Sequence, residues 1–152
     1  MSSITTQATP SEPVRQFSVF TANRLGRLHD LISLLNSRNV HVLALTVLDT
    51  TDSAIIRIVV DDPDQAREIL VKNDFAFTES DLLVIEIDSE TRLKEALSAL
   101  VQAEINIHYT YSLISRPNDK PVIAFNLEDL ELAAECLRRH LFNVLRQADL
   151  SR

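Results

Sequence analysis

Sliding the 152-residue chain against itself by about 65 residues superposes its two halves, and self-similarity over that span constrains architecture more than any local propensity. Arg27-Leu28 falls on Arg92-Leu93, Ser33 on Ser98, Leu35 on Leu100, and Val40-His41-Val42 on Ile105-Asn106-Ile107. With a slightly longer loop allowed after that, Ile56 falls on Ile123, Ala66 on Ala133, Glu68 on Glu135, Leu70 on Leu137 and Phe75 on Phe142. Register and residue class are kept together, so each half is one copy of a common folding unit.

Each copy reads strand, helix, strand, strand, helix, strand. In the first, the apolar strand Gln16–Phe20 leads into a helix on which Leu28, Leu31, Ile32 and Leu35 recur at helical spacing. Pro63 opens a second helix with Ala66, Ile69 and Leu70 on one face. Between them, Val40–Asp49 and Ala54–Val60 are β-rich and joined by Thr50-Thr51-Asp52-Ser53, a hairpin signal. The counterpart helices lie near Arg92–Ala103 and Leu130–Arg139, and the counterpart strands are Ile105–Ser115 and Pro121–Leu127. Right-handed crossovers put both helices of a copy on the same face of its sheet. The expected fold class is α+β, two ferredoxin-like βαββαβ open-faced sandwiches in tandem over residues 15–80 and 81–152, preceded by a disordered Ser/Thr-rich tail over 1–14. Ile56, Ile58 and Val60 occupy one face of a strand and Ile55 and Val59 the other, so both sheet faces are expected to be buried. The second cover is the other repeat, a second chain or both, and a homodimer is expected.

Composition narrows the function classes. A net charge of −7 and a pI near 5.0 oppose nucleic-acid binding, which relies on a basic surface to displace counterions. The one cysteine, Cys136, permits neither an internal disulfide nor a thiolate metal cage, and its neighbours Ala133 and Leu137 mark it as core filler. No apolar run approaches the roughly 20 residues of a membrane helix, and no secretory signal pattern opens the chain, so a cytoplasmic protein without membrane contact is expected. His29, His41, His108 and His140 show no metal-ligand spacing, and no Ser/His/Asp or paired-carboxylate set can be argued. Neither a metal nor a cofactor is expected.

The single glycine, Gly26, falls where the first strand turns into the first helix, within Asn23-Arg24-Leu25-Gly26-Arg27-Leu28. In a chain so poor in glycine, the one retained marks a backbone angle closed to other residues, or a close approach by another molecule. The start of a helix also presents unpaired N–H groups beside the positive end of the helix dipole, which suits a carboxylate or phosphate. A tight turn with no ligand is the alternative reading.

Ala22-Asn23-Arg24-Leu25-Gly26-Arg27-Leu28, the helix to Leu35, Asn39-Val40-His41-Val42, the strand Ala54–Val60 and Asp61-Asp62-Pro63 together resemble the ACT domain family of small-molecule-sensing βαββαβ modules. The resemblance spans Arg15 to Leu150 as a tandem pair. It implies a non-enzymatic regulatory protein that binds an amino acid or similar small zwitterion at an interface between ACT units. On that reading the N–H groups near Gly26–Leu28 hold the ligand carboxylate, Asn23 accepts from its ammonium, and Asp49 and Asp52 are further ammonium acceptors. Asn23 as a helix-entry cap and the two aspartates as ordinary turn residues remain open. The second copy departs from the pattern at Asp88-Ser89-Glu90-Thr91-Arg92-Leu93, where Thr91 replaces the glycine and Glu90 adds negative charge, so unequal sites are expected. Tyr109 and Tyr111 share a strand face and read as core or interface. The alternative function is a binding-deficient interaction module, or a regulatory subunit docking on an amino-acid biosynthetic enzyme such as acetolactate synthase. An enzyme built on the Arg24/Arg27 loop has no general base that the sequence can name.

Overall fold

A computed structural model of the chain describes residues 12–22 and 26–151. The first half comprises β1 (Val14–Ala22), α1 (Arg27–Ser37), β2 (Val42–Asp49), β3 (Ser53–Val60), α2 (Pro63–Lys72) and β4 (Ala76–Glu86). The second continues through α3 (Glu90–Gln102), β5 (Ile107–Ser112), β6 (Val122–Leu127), α4 (Leu130–Arg139) and β7 (Val144–Leu145), and ends in the single turn α5 (Gln147–Leu150). Val14, within the stretch expected as a tail, is the first residue of β1 and is fully buried.

Strand β4 serves both copies, and position 80/81 lies inside it. Ala76 to Leu82 pair antiparallel with β1, whereas Leu83 to Glu86 pair with β6, and Val84 and Ile85 also pair with β7. One strand is thus the last of the first unit and the first of the second, and the sheet runs without a break in the order β2-β3-β1-β4-β6-β5, with β7 beside β4. Its two ends approach each other where the N–H groups of Ile114 and Ser115, just past β5, donate to the Leu43 carbonyl of β2 at 2.6 and 3.4 Å. The result is a curled sheet, nearly a barrel, with the long helices outside.

Strand alternation sorts the apolar side chains into separate cores. Phe17, Val19, Ile56, Ile58 and Val60 face α1 and α2, where they meet Leu31, Leu35, Ala66, Ile69 and Leu70. Leu83, Ile85 and Phe125 pack in the same way beneath Ala96, Leu100, Ala133 and Leu137 of α3 and α4. The opposite faces of the two copies meet inside the curl through Val14, Ala44, Val59, Leu82, Val84, Leu113, Val122 and Ala124. The second cover for each sheet face is therefore the other repeat.

The four long helices end alike. The N–H groups of Val40, Phe75, Ile105 and Phe142 reach back to the carbonyls of Leu35, Leu70, Leu100 and Leu137, each at 3.0 Å. The residue before each of these is left-handed: Asn39 at φ 61°, Asp74 at 59°, Glu104 at 57° and Leu141 at 66°. Such a stop usually uses glycine, because a Cβ is strained there. This chain uses Asn, Asp, Glu and even Leu, and the apolar residue that follows each one, buried in Val40, Ile105 and Phe142 and half-buried in Phe75, anchors the turn.

Candidate functional site

Gly26 is the N-cap of α1, with φ 89° and ψ −10°. A Cβ built on it would meet nothing within 4 Å, so the glycine answers a backbone angle and leaves open space above the turn. Its carbonyl accepts from Asp30 N–H at 2.9 Å, but it has no side chain to occupy the first N–H groups of the helix. The other three long helices cap themselves: Asp62 accepts from Gln65 N–H at 3.1 Å, Ser89 from Arg92 N–H at 3.2 Å and Asp129 from Leu132 N–H at 3.1 Å. Among the described residues no side chain takes up the first N–H groups of α1.

Asn23, Arg24 and Leu25 lie outside the described residues. Arg27 places its guanidinium 5.1 Å from the Phe75 ring centroid, and Leu28 is half-buried against the first core, so both side chains are partly committed to packing. Asp49 and Asp52 are exposed in the β2–β3 hairpin. Pairing of Ala22 with Ser53 brings that hairpin to the end of β1 from which the Gly26 turn departs. One end of the sheet therefore carries the helix start and two carboxylates.

The second strand-to-helix turn is built differently. By the internal repeat α3 should begin at Arg92, yet it begins at Glu90 behind the Ser89 cap, which puts Thr91 inside the first helical turn rather than at the glycine position. A shallow recess there is lined by Glu86, Asp88, Arg92, Lys120, Phe142 and Asn143. Glu86 and Arg92 are already engaged by neighbouring groups. Glu86 accepts from Asn118 at 2.5 Å and Asn143 at 2.9 Å. Burial pushes the Glu86 carboxyl up, but those two bonds and the Lys120 charge outweigh it and leave it below the usual carboxylate range. Arg92 lies 3.8 Å from the Phe142 centroid, pairs with Glu95 at 2.8 Å and donates to the His140 and Leu141 carbonyls, both at 3.3 Å.

Polar residues that the strand pattern did not single out meet inside the curl. Buried Gln16 donates to the Tyr109 hydroxyl at 2.6 Å and lies 3.2 Å from the Ser18 and Ser80 hydroxyls, while the Tyr111 hydroxyl donates to its carbonyl oxygen at 2.5 Å. Burial raises the Tyr111 hydroxyl well above the ordinary phenol range. The two tyrosines stack with centroids 6.3 Å apart, in keeping with the interface expected for them. The one sequence signal for this cluster was polar residues, Gln16 and Arg57, in otherwise apolar strands.

Among the described residues no group of three or more His, Cys, Asp or Glu is placed to hold a metal ion, and no helix is long and apolar enough to cross a membrane. Cys136 is a free, half-buried thiol that contacts the Ala99 carbonyl at 3.6 Å.

The chain is similar to solved structures over nearly its whole length. Protein BT0572 from Bacteroides thetaiotaomicron superposes with a TM-score of 0.84 at 26% identity, covering 95% of this chain and 99% of that one. The ligand-free regulatory subunit of aspartate kinase from Thermus thermophilus has a TM-score of 0.58 at 13% identity, over 86% of this chain and 95% of that one, and the Thermus flavus subunit has 0.54 at 15%, over 86% and 94%. At those identities the two kinase subunits establish likeness of fold. No curated protein matches the chain. The family model described as an ACT domain pair matches residues 12–152, the span that holds the doubled βαββαβ unit, the shared β4 and both strand-to-helix turns, and the chain belongs to that family.

Proposed function

We propose that this ACT domain pair is a non-enzymatic regulatory protein that binds an amino acid at the turn around Gly26. The observation that carries the reading is the start of α1: a left-handed glycine whose added Cβ would meet nothing within 4 Å and which has no side chain to cap the helix, where the other long helices are closed by their own Asp or Ser. A ligand carboxylate takes the N–H groups of residues 27–29, and Asn23, Asp49 and Asp52 are the candidate acceptors for its ammonium. The second turn is the weaker site, since Ser89 already occupies a helix N–H and the recess side chains Glu86 and Arg92 are already engaged by Asn118, Asn143 and Glu95.

The signal passes through assembly, with a second copy or a biosynthetic enzyme as partner in the cytoplasm. Exposed Leu45 and Val47, on the helix side of edge strand β2, support a partner surface. A thermal-shift screen of the twenty amino acids tests the binding step. A ligand at about 100 times its Kd stabilises the fold by about 2.7 kcal/mol, and the shift should vanish in Gly26→Val. No shift with any amino acid would leave a binding-deficient interaction module as the better account.

A further inference from the structure

Inside the curl, the cross-strand register stacks side chains in layers. Phe20, Ile55 and Leu48 form the layer at one mouth, and Phe20 and Leu48 are 41% and 47% exposed. The next layer inward is Ser18, Arg57 and Thr46, and below it lie Gln16, Val59 and Ala44, all buried. Arg57 therefore sits one layer below an apolar rim. Its guanidinium lies 3.9 Å from the centroid of the Tyr109 ring, which reaches across from β5.

Among the described residues this arginine has no anion. Its Nε is buried with no hydrogen-bond partner among the described residues. None of the ion pairs among those residues includes it. The residues beyond the described ones, 1–11, 23–25 and 152, contain no Asp or Glu side chain. A ring face offsets part of the cost of desolvating a guanidinium but cannot accept its in-plane N–H groups. Buried donors in native proteins are nearly always satisfied, so the bare Nε marks a place that wants an acceptor. The Tyr109 hydroxyl accepts from Gln16, which leaves its own hydrogen available to donate in the same cluster.

We infer that the mouth of the curled sheet is a binding site for an apolar monocarboxylate, whose carboxylate is held by Arg57 and the Tyr109 hydroxyl while its hydrocarbon part rests on Phe20, Ile55 and Leu48. Charge at the floor and hydrocarbon at the rim fit a ligand that enters head first. The site lies on the inner face of the sheet, whereas the Gly26 turn serves the helix layer outside. It calls for no ammonium group, so it is separate from the amino-acid site proposed above.

The test is an NMR titration of the full chain with 4-methylvalerate, using 4-methylvaleramide as the uncharged control. The acid should shift the Arg57 Nε–H resonance and the Phe20 and Ile55 amides saturably, and the amide should not. Arg57→Gln should weaken the acid by about tenfold or more, and Tyr109→Phe, which keeps the ring, by a few fold. Gly26→Val should leave the titration unchanged, which separates this site from the amino-acid site. Equal binding of the amide, unchanged affinity in Arg57→Gln, or no shift with the acid would overturn the proposal. So would an Arg57 Nε–H that responds only to protein concentration, since its anion would then come from a second copy. The comparison of acid with amide on the unmodified chain decides the matter even if a variant folds poorly.

Discussion

The Asp61 carboxylate holds His41 twice, one oxygen accepting the backbone N–H at 2.8 Å and the other lying 2.9 Å from Nδ1 of the imidazole. Asp61 N–H donates back to the His41 carbonyl at 3.1 Å, so the start of β2 and the end of β3 are tied side by side. In the second copy Glu128 takes Asn106 N–H at 3.1 Å and its own N–H reaches the Asn106 carbonyl at 3.2 Å, which repeats the backbone part of the arrangement. Asp61 is buried and Glu128 exposed.

That difference sets the first expected outcome. Asp61→Ala removes a buried acceptor from the half-buried His41 N–H and imidazole and should cost about 1–3 kcal/mol. Glu128→Ala removes a bond that water can replace and should stay within about 0.5 kcal/mol. Urea unfolding of both variants measures the gap, and equal losses would show that the imidazole contact adds nothing.

Glu79 ties three elements together. It receives Arg67 of α2 through two bonds, at 2.7 and 2.8 Å, and Arg15 of β1 at 2.8 Å. The Arg67 hydrogen bonds lower the Glu79 carboxyl against the opposing effect of its burial, and Arg15 adds to the lowering. A carboxylate depressed on folding stabilises the protein above its unfolded value of about 4.3, and that contribution is lost as pH falls through the folded value. Glu79→Gln should therefore lower stability by about 1 kcal/mol at neutral pH, with the difference shrinking below about pH 4. Unfolding free energies measured across that range check the sign; a constant difference at all pH values would exclude an ionic origin.

The left-handed residues outside the Gly26 turn predict gains. Leu141 is 86% exposed at φ 66°, and Glu104 is exposed at φ 57°, so a Cβ is strained at both with little packing in return. Leu141→Gly and Glu104→Gly should each stabilise by about 0.5–1 kcal/mol despite the entropy of the added glycine. Gly26→Ala should do the opposite, by about 1 kcal/mol, through backbone strain alone, since no atom stands in the way. Calorimetric melting of the three variants separates them by sign.

Titration calorimetry with the amino acid identified by thermal shift should give one site per chain. Two equivalent sites would mean that the Ser89 cap and the bonds already made by Glu86 and Arg92 do not close the second turn. Sedimentation at micromolar concentration should in turn give a dimer, and a strict monomer would remove self-association from the regulatory reading.

Much of this fold is written locally. The repeat, the order of strands and helices, and helix starts such as Asp62-Pro63 follow from periodicity and from side chains that bond to their own backbone within a turn. So does the importance of Gly26, whose positive φ is a property of one residue. Periodicity also shows that both faces of β3 are apolar, because alternation along a strand needs no partner to be read. It does not show what covers each face. Tertiary pairing decided that β4 belongs to both copies, that β2 and β5 come together at Leu43, and that the helix-free faces cover each other. The same pairing put Tyr109 over Arg57, a contact between residues on strands of different copies. The early start of α3, at Glu90 behind Ser89, is by contrast the work of a local cap that the register of the repeat alone does not reveal. Burial of an apolar face is favourable against any complementary surface, so a strand's sequence specifies that it will be covered, and only the closed chain specifies by what.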